Sequence, residues 1–196
     1  MIITYEIGNS LYLNITNKCP CDCIFCIRKL GAGVNRGESL RLDREPTLNE
    51  IITSLSERNL SKYSEIVFCG YGEPTERLDV LLECAKYLKE NNVRLIRLNT
   101  NGLGDLINKK KTVPLLEDVI NTISISLNAP DTETYNKLCV PVFGTISYDA
   151  VIAFAKECAS AIPNVTLSVI GETLSEKQME KCREISNSIG ADFRIR

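Results

Sequence analysis

The sequence predicts an α/β fold: a (β/α)6 partial TIM barrel, which is an open, curved and mostly parallel sheet, preceded by an N-terminal β-hairpin. Three observations predict it. Strand-like apolar runs alternate with helical stretches along most of the chain, and such alternation builds right-handed βαβ units on a parallel sheet. About six such strands can be counted, too few to close an eight-stranded barrel. The helices also carry start and stop signals of their own, from Thr47 to Gly190. A doubly wound open sheet satisfies the same count. In either arrangement ligands gather at the carboxyl ends of the strands.

Each element has its own signal. Residues 2–7 and 11–16 alternate apolar and polar side chains around Gly8-Asn9-Ser10, which reads as a hairpin. A cysteine loop follows, and then a Gly- and Arg-rich stretch over 28–46 with weak periodicity, expected as a long functional loop. Thr47-Leu-Asn-Glu50 is a capping box that opens a helix to about residue 59. Strands are expected at 65–69, 93–99, 122–128, 164–170 and 191–195. Helices are expected near 78–91, 103–109, 114–120, 131–138, 147–161 and 175–189. Ser147 and Ser175 stand where N-caps belong, and Gly190 follows the last helix as a C′ glycine does.

A chain of 196 residues is expected to form one domain over 1–196, large enough for a core of its own. Its net charge of −2 gives no bulk basic footprint, so no nucleic-acid partner is expected. No apolar run approaches membrane-spanning length, and no membrane partner is expected. Histidine is absent, which removes Ser-His and Cys-His nucleophiles and His-ligated metals. Catalysis would have to lean on thiols, carboxylates, Lys, Tyr or a cofactor.

The cysteine loop offers such chemistry. Cys19, Cys23 and Cys26 are spaced C-x3-C-x2-C, and three thiols in one loop can grip three corners of a cubane cluster while leaving one iron open. With Cys21 added, four thiols could instead close a structural zinc site, although C-x-C-x-C-x2-C spacing is poor for zinc. Disulfides are a second alternative, but nine cysteines is an odd number and the N-terminus Met-Ile-Ile-Thr-Tyr-Glu lacks the basic segment of a secretory leader. A reducing, cytoplasmic location is the expectation.

Further motifs fall on the same strand ends. The run Glu65-Ile-Val-Phe-Cys69 leads into Gly70-Tyr71-Gly72-Glu73-Pro74, whose glycines would let the backbone approach a ligand closely and whose Glu73 would meet a cationic group. The next strand ends in Asn99-Thr-Asn101-Gly102, a turn signal, and the one after in Ser126-Leu-Asn128, with two polar residues expected on one face.

In this order, the cysteine triad with Phe25 before its last Cys, the G-Y-G-E-P turn and the T-N-G strand end resemble the radical S-adenosylmethionine (radical SAM) superfamily. Within it, Ser126-Leu-Asn-Ala-Pro-Asp131, Tyr135-Asn-Lys-Leu-Cys139, Pro141-Val-Phe-Gly144 and Phe193-Arg-Ile-Arg196 are similar to the small TatD-linked subfamily. The resemblance implies a [4Fe–4S] cluster on Cys19, Cys23 and Cys26 whose open iron chelates S-adenosylmethionine. Its amino group would lie against Gly70, Tyr71, Gly72 and Glu73, with Asn99, Asn101, Ser126, Asn128, Ser168, Ile170 and Phe25 as further cofactor contacts. Cys21 departs from the pattern and leaves open which thiols ligate.

The resemblance further implies one-electron reductive cleavage of the sulfonium, a 5′-deoxyadenosyl radical, and hydrogen abstraction from a small-molecule or nucleoside substrate. Flavodoxin or ferredoxin is implied as electron donor, under anaerobic conditions. Two other classes share parts of this sequence: an activase that places a glycyl radical on a partner protein, and a non-catalytic zinc or iron module. Arg28, Lys29, Arg36, Arg41, Arg44, Tyr135 and Lys137 are candidate substrate contacts, since cations recognise carboxylate or phosphate. Cys139 is a candidate late hydrogen-atom donor, and Tyr71 faces the expected pocket.

Overall fold

The computed structural model describes residues 1–30 and 39–196. Its seven strands are β1 (Thr4–Ile7), β2 (Ser10–Leu13), β3 (Glu65–Phe68), β4 (Ile96–Thr100), β5 (Thr122–Ser126), β6 (Asn164–Val169) and β7 (Asp192–Ile195). They form one sheet in sequential order, with β1 antiparallel to β2 and every later pair parallel. The sequential order decides between the two arrangements left open by the sequence. Each right-handed crossover advances the same way, so the helices collect on one face and the sheet is singly wound. This is the partial TIM barrel, not the doubly wound alternative.

The helices are α1 (Ile27–Leu30), α2 (Leu48–Ser56), α3 (Leu78–Glu90), α4 (Gly104–Asn108), α5 (Val113–Leu116), α6 (Thr132–Cys139), α7 (Ile146–Ala161) and α8 (Glu176–Ile189). Capping sets several boundaries. Thr47 and Glu50 close a capping box on α2, Ser175 and Gln178 another on α8, and Gly190 ends α8 at φ +81°. Ser147 is a correction: α7 begins one residue earlier, after Thr145, and Ser147 is fully buried within the helix with an unpartnered hydroxyl. The predicted strands of the hairpin also shorten, because Asn14, Ile15 and Thr16 leave the sheet to lead into the cysteine loop.

Strand alternation divides the sheet into two chemistries. Leu11, Leu13, Ile66, Phe68, Ile96, Leu98, Ile123, Ile125 and Leu167 face the helices with no exposed surface. The opposite, open face carries Tyr12, Arg97, Asn99, Ser124, Ser126 and Thr166, all half-buried. That face curls inward. β2 and β7 lie five strand steps apart, about 24 Å on a flat sheet. Yet burial raises the Tyr12 hydroxyl while the charges of Arg97 and Arg194 pull it down, so a β7 side chain reaches the neighbourhood of β2.

Candidate functional site

The cysteine loop leaves the carboxyl end of β2 and is fastened from two sides. On one side the turn after β3 docks on it: Tyr71 N donates to Asn14 Oδ1 (2.9 Å), Gly72 N to Thr16 O (3.0 Å) and Glu73 N to Lys18 O (2.8 Å). On the other, Asp22 N and Ile24 N donate to the carbonyls of Cys139 and Leu138, and Cys21 forms an antiparallel bridge with Pro141. The loop therefore links β2 to the end of α6 across the carboxyl edge of the sheet.

The glycines of the β3 turn are required by a close approach within the chain itself. A Cβ at Gly70 would lie 2.2 Å from Asn14 Oδ1, and one at Gly72 would lie 2.3 Å from the Lys18 carbonyl. The close approach is made by the chain leading into the cysteine loop. Asn14, which sequence reasoning passed over, organises it: fully buried, it donates to the carbonyls of Ile2 (2.9 Å) and Leu40 (2.6 Å) while accepting from Tyr71. Only its place at the end of an alternating strand could have signalled this.

Glu73 is buried and its carboxylate is gripped internally. Oε1 accepts from Thr75 N (3.1 Å), Thr75 Oγ1 (2.8 Å) and Thr100 Oγ1 (2.7 Å), and Oε2 from Asn101 N (2.7 Å). Burial pushes its pKa up, against the pull of these donors. Its first effect is thus to weld the β3 turn to the end of β4.

The thiols of the loop and Cys139 perturb one another. Cys21 is buried, while Cys19, Cys23 and Cys26 are half-buried, and all nine cysteines are free. Hydrogen bonds from Cys139 and Cys21 pull the Cys23 thiol down to about 4, and a hydrogen bond from Cys21 also lowers Cys19. Cys21, caught between Cys19 and Cys23, is pushed far up, as is Cys139 by its bond to Cys23 and by burial. Thiolates are the metal-binding form. The surroundings thus lower two thiols, Cys19 and Cys23, and raise two others, Cys21 and Cys139. Burial raises Cys26. As the side chains lie, no three Cys, His, Asp or Glu groups among the described residues converge on one point as an ion would require.

Polar groups of the neighbouring strand ends face this loop. Asn101 Nδ2 lies 3.9 Å from Cys19 Sγ, and Asn128 Nδ2 lies 3.6 Å from Cys139 Sγ. Asn128 adopts φ +58°, so it leaves the strand alternation and turns toward Cys139 instead of sharing a face with Ser126. Asn99 Oδ1 and Asn128 Oδ1 are buried with no partner. A buried acceptor left unpaired is unfavourable unless a donor arrives, so both fit a ligand rich in N–H or O–H groups. Ser126 Oγ accepts from Arg196 (3.2 Å), and Ser168 Oγ is buried against the Ile125 carbonyl (3.4 Å). Phe25 packs half-buried on the core, and Ile170 precedes a short 3-10 turn at the end of β6.

The candidate substrate residues scatter. The Arg28 guanidinium sits 5.4 Å from the Tyr71 ring centroid, next to the cysteine loop, with a buried Nη1 that has no partner. Arg44 is held by Glu50 in a bidentate pair (2.8 and 2.5 Å), Lys137 by Glu133 (2.6 Å) and Lys29 by Asp22 (2.9 Å). Arg41 is exposed, Tyr135 is buried, and Arg36 lies outside the described residues. The structure does not bring these side chains together.

A model of the radical SAM superfamily matches residues 13–184. A probable GTP 3′,8-cyclase of Methanocaldococcus jannaschii is 27% identical over 188 residues, covering 95% of this chain and 57% of that protein. A probable dual-specificity RNA methyltransferase RlmN of Clostridium acetobutylicum is 26% identical over 170 residues, covering 80% and 44%. The chain thus spans about half the length of these curated relatives. Among solved structures, Streptococcus suis SuiB bound to S-adenosylmethionine superposes with a TM-score of 0.73 at 20% identity, over 95% of this chain and 40% of SuiB. That likeness concerns the fold. The family match over most of the sequence, on the strand ends just described, places this chain in the radical SAM superfamily.

Proposed function

We propose that residues 1–196 form one radical SAM core unit, whose cluster is held by Cys19, Cys23 and Cys26 and whose cofactor lies against the ends of β3 to β6. The superfamily works with a [4Fe–4S] cluster and S-adenosylmethionine. Two observations support the fit: the thiol loop with two thiols lowered by their neighbours, and the orphaned amide oxygens of Asn99 and Asn128 at the ends of the neighbouring strands. A [4Fe–4S] cluster held there would supply the one-electron reduction of S-adenosylmethionine on which hydrogen abstraction from the substrate rests.

The chain's own residues position and exclude. Asn101 offers its amide to the Cys19 sulfur, and hydrogen bonds to a ligating sulfur tune a cluster's potential. Glu73 holds Asn101 in place through the backbone, and one lone pair of its Oε2 remains for a cofactor amino group. Asn99 and Asn128 would accept from ribose hydroxyls or amino groups, with Ser126, Ser168 and Ile170 lining the β5 and β6 side. Gly70, Tyr71 and Gly72 form the wall that fastens the loop, and Phe25 shields it from water.

The single observation that carries this reading is the thiol loop fastened to the G-Y-G-E-P turn at the carboxyl edge of a parallel sheet. A small-molecule or nucleoside substrate is proposed, together with a flavodoxin- or ferredoxin-type donor and a cytoplasmic setting, for which nine unpaired thiols argue. No helix among the described residues is long and apolar enough to cross a membrane. The strand-end motifs also support the TatD-linked subfamily as the nearest grouping.

The test is anaerobic reconstitution with iron and sulfide, followed by S-adenosylmethionine and dithionite. 5′-Deoxyadenosine is expected from the wild type and from Cys21→Ala, and not from Cys19→Ala, Cys23→Ala or Cys26→Ala. Equal yield from all four variants would refute the ligand set.

A further inference from the structure

The last strand places two arginines on the open face. β7 pairs with β6 in parallel, with Ser168 opposite Arg194, and Ser168 in turn lies opposite Ser126 on β5. Phe193 points the other way, its ring under the Arg183 guanidinium of α8 (4.8 Å). Arg194 and Arg196, two residues apart, therefore share the open face. The pairing continues to the second of them, since Arg196 N donates to the Val169 carbonyl (2.9 Å). Its guanidinium reaches inward over β6 to Ser126 Oγ (3.2 Å).

Neither charge is neutralised by a carboxylate within ion-pair distance among the described residues. The other arginine of this face, Arg97, is paired with Glu65 at 2.9 Å. Burial, and then the charge of Arg194, lower the Arg196 guanidinium, while Cys69 and Cys23 raise it. The two arginines repel one another, and Arg196 extends toward the mouth where the cysteine loop lies. Both side chains are exposed, and two guanidinium forks on one face with no carboxylate partner are suited to an oxyanion.

We propose that Arg194 and Arg196 form an oxyanion-binding subsite on the open face, so that the substrate carries a phosphate or carboxylate anchored there beside the cysteine loop. The assignment rests on the radical SAM reading for its link to catalysis.

The binding step needs no cluster and can be measured on the metal-free full chain. Thermal unfolding is followed against inorganic phosphate, pyrophosphate and succinate at constant ionic strength. A saturable rise in Tm is expected with at least one of them, weakened about tenfold or more in Arg194→Gln and in Arg196→Gln and retained in Arg41→Gln. A response to phosphate and pyrophosphate alone identifies a phosphorylated substrate, and one to succinate alone a carboxylate. Both Gln variants should unfold no earlier than wild type in the absence of anions, because a repulsion is relieved.

Three outcomes would overturn the subsite: no saturable response to any of the anions, undiminished binding by both Gln variants, or equal loss in Arg41→Gln. So would weakened binding of S-adenosylmethionine to reconstituted Arg194→Gln and Arg196→Gln with anion binding intact, which would assign the pair to the cofactor's own carboxylate. Because the anion measurement uses cluster-free protein, its failure leaves 5′-deoxyadenosine formation untouched, and the converse also holds.

Discussion

The two faces of this sheet are made by the same strands, yet they obey opposite rules. Along β4, Ile96 and Leu98 are fully buried against helices, while Arg97 and Asn99, alternating with them, face the open side half-exposed. Along β5, Ile123 and Ile125 are buried and Ser124 and Ser126 are not. One face contributes the stability and the other is free to carry polar and charged groups. The proposed site lies where the open face meets the carboxyl edge, because there the strands end and loops can converge without breaking the ladder.

Mutations should separate the faces sharply. Leu98→Ala empties a fully buried position and is expected to destabilise by about 2–5 kcal/mol in urea unfolding. A loss below about 1 kcal/mol would mean that the helix-covered face is not the stabilising one. Gly72→Ala strikes the edge, where the new methyl must push against the Lys18 carbonyl. Overpacking of this kind typically costs about 1–3 kcal/mol. It should also impair iron uptake, because the same turn fastens the cysteine loop.

The thiols provide a chemical contrast. A cysteine with a lowered pKa contributes stability that is complete above its unfolded value and is lost as pH falls through its folded one. For Cys23 that window runs down to about 4. At pH 6, iodoacetamide should therefore modify Cys23 in the metal-free protein while the protonated, buried Cys21 stays unlabelled, as read by peptide mass spectrometry. Preferential labelling of Cys21 would reverse the division into lowered and raised thiols. The smallest effect belongs to Ser147. Its buried hydroxyl has no partner, so Ser147→Ala should leave stability unchanged or raise it by up to about 1 kcal/mol.

Local chemistry was legible in the sequence, and long-range chemistry was not. Thr47 with Glu50, Ser175 with Gln178, and Gly190 act within one helical turn, and the structure places them as caps. Ser147 misled because a serine at the start of the helical stretch 147–161 resembles a cap, whereas it lies on the buried side of α7. The parallel sheet followed from the alternation of strands and helices, but the sequential strand order that excludes a doubly wound sheet did not. The bond between Cys139 and the cysteine loop joins residues more than a hundred positions apart, and no spacing rule reports such a contact. Gly70 and Gly72 were visible as positions needing close approach, while the partner, the backbone around Asn14 and Lys18, emerged only in three dimensions. Arg194 and Arg196 stood in plain alternation, yet a short final strand gives no sign of which face it shares until it is paired.

The central claim is that Cys19, Cys23 and Cys26 ligate and Cys21 does not. Iron and sulfide content after anaerobic reconstitution tests it most directly, in wild type, Cys21→Ser and Cys26→Ser. The account predicts about four irons per chain and a brown visible spectrum in wild type and Cys21→Ser, with both lost in Cys26→Ser. A colourless protein holding one zinc that Cys21→Ser abolishes would contradict it.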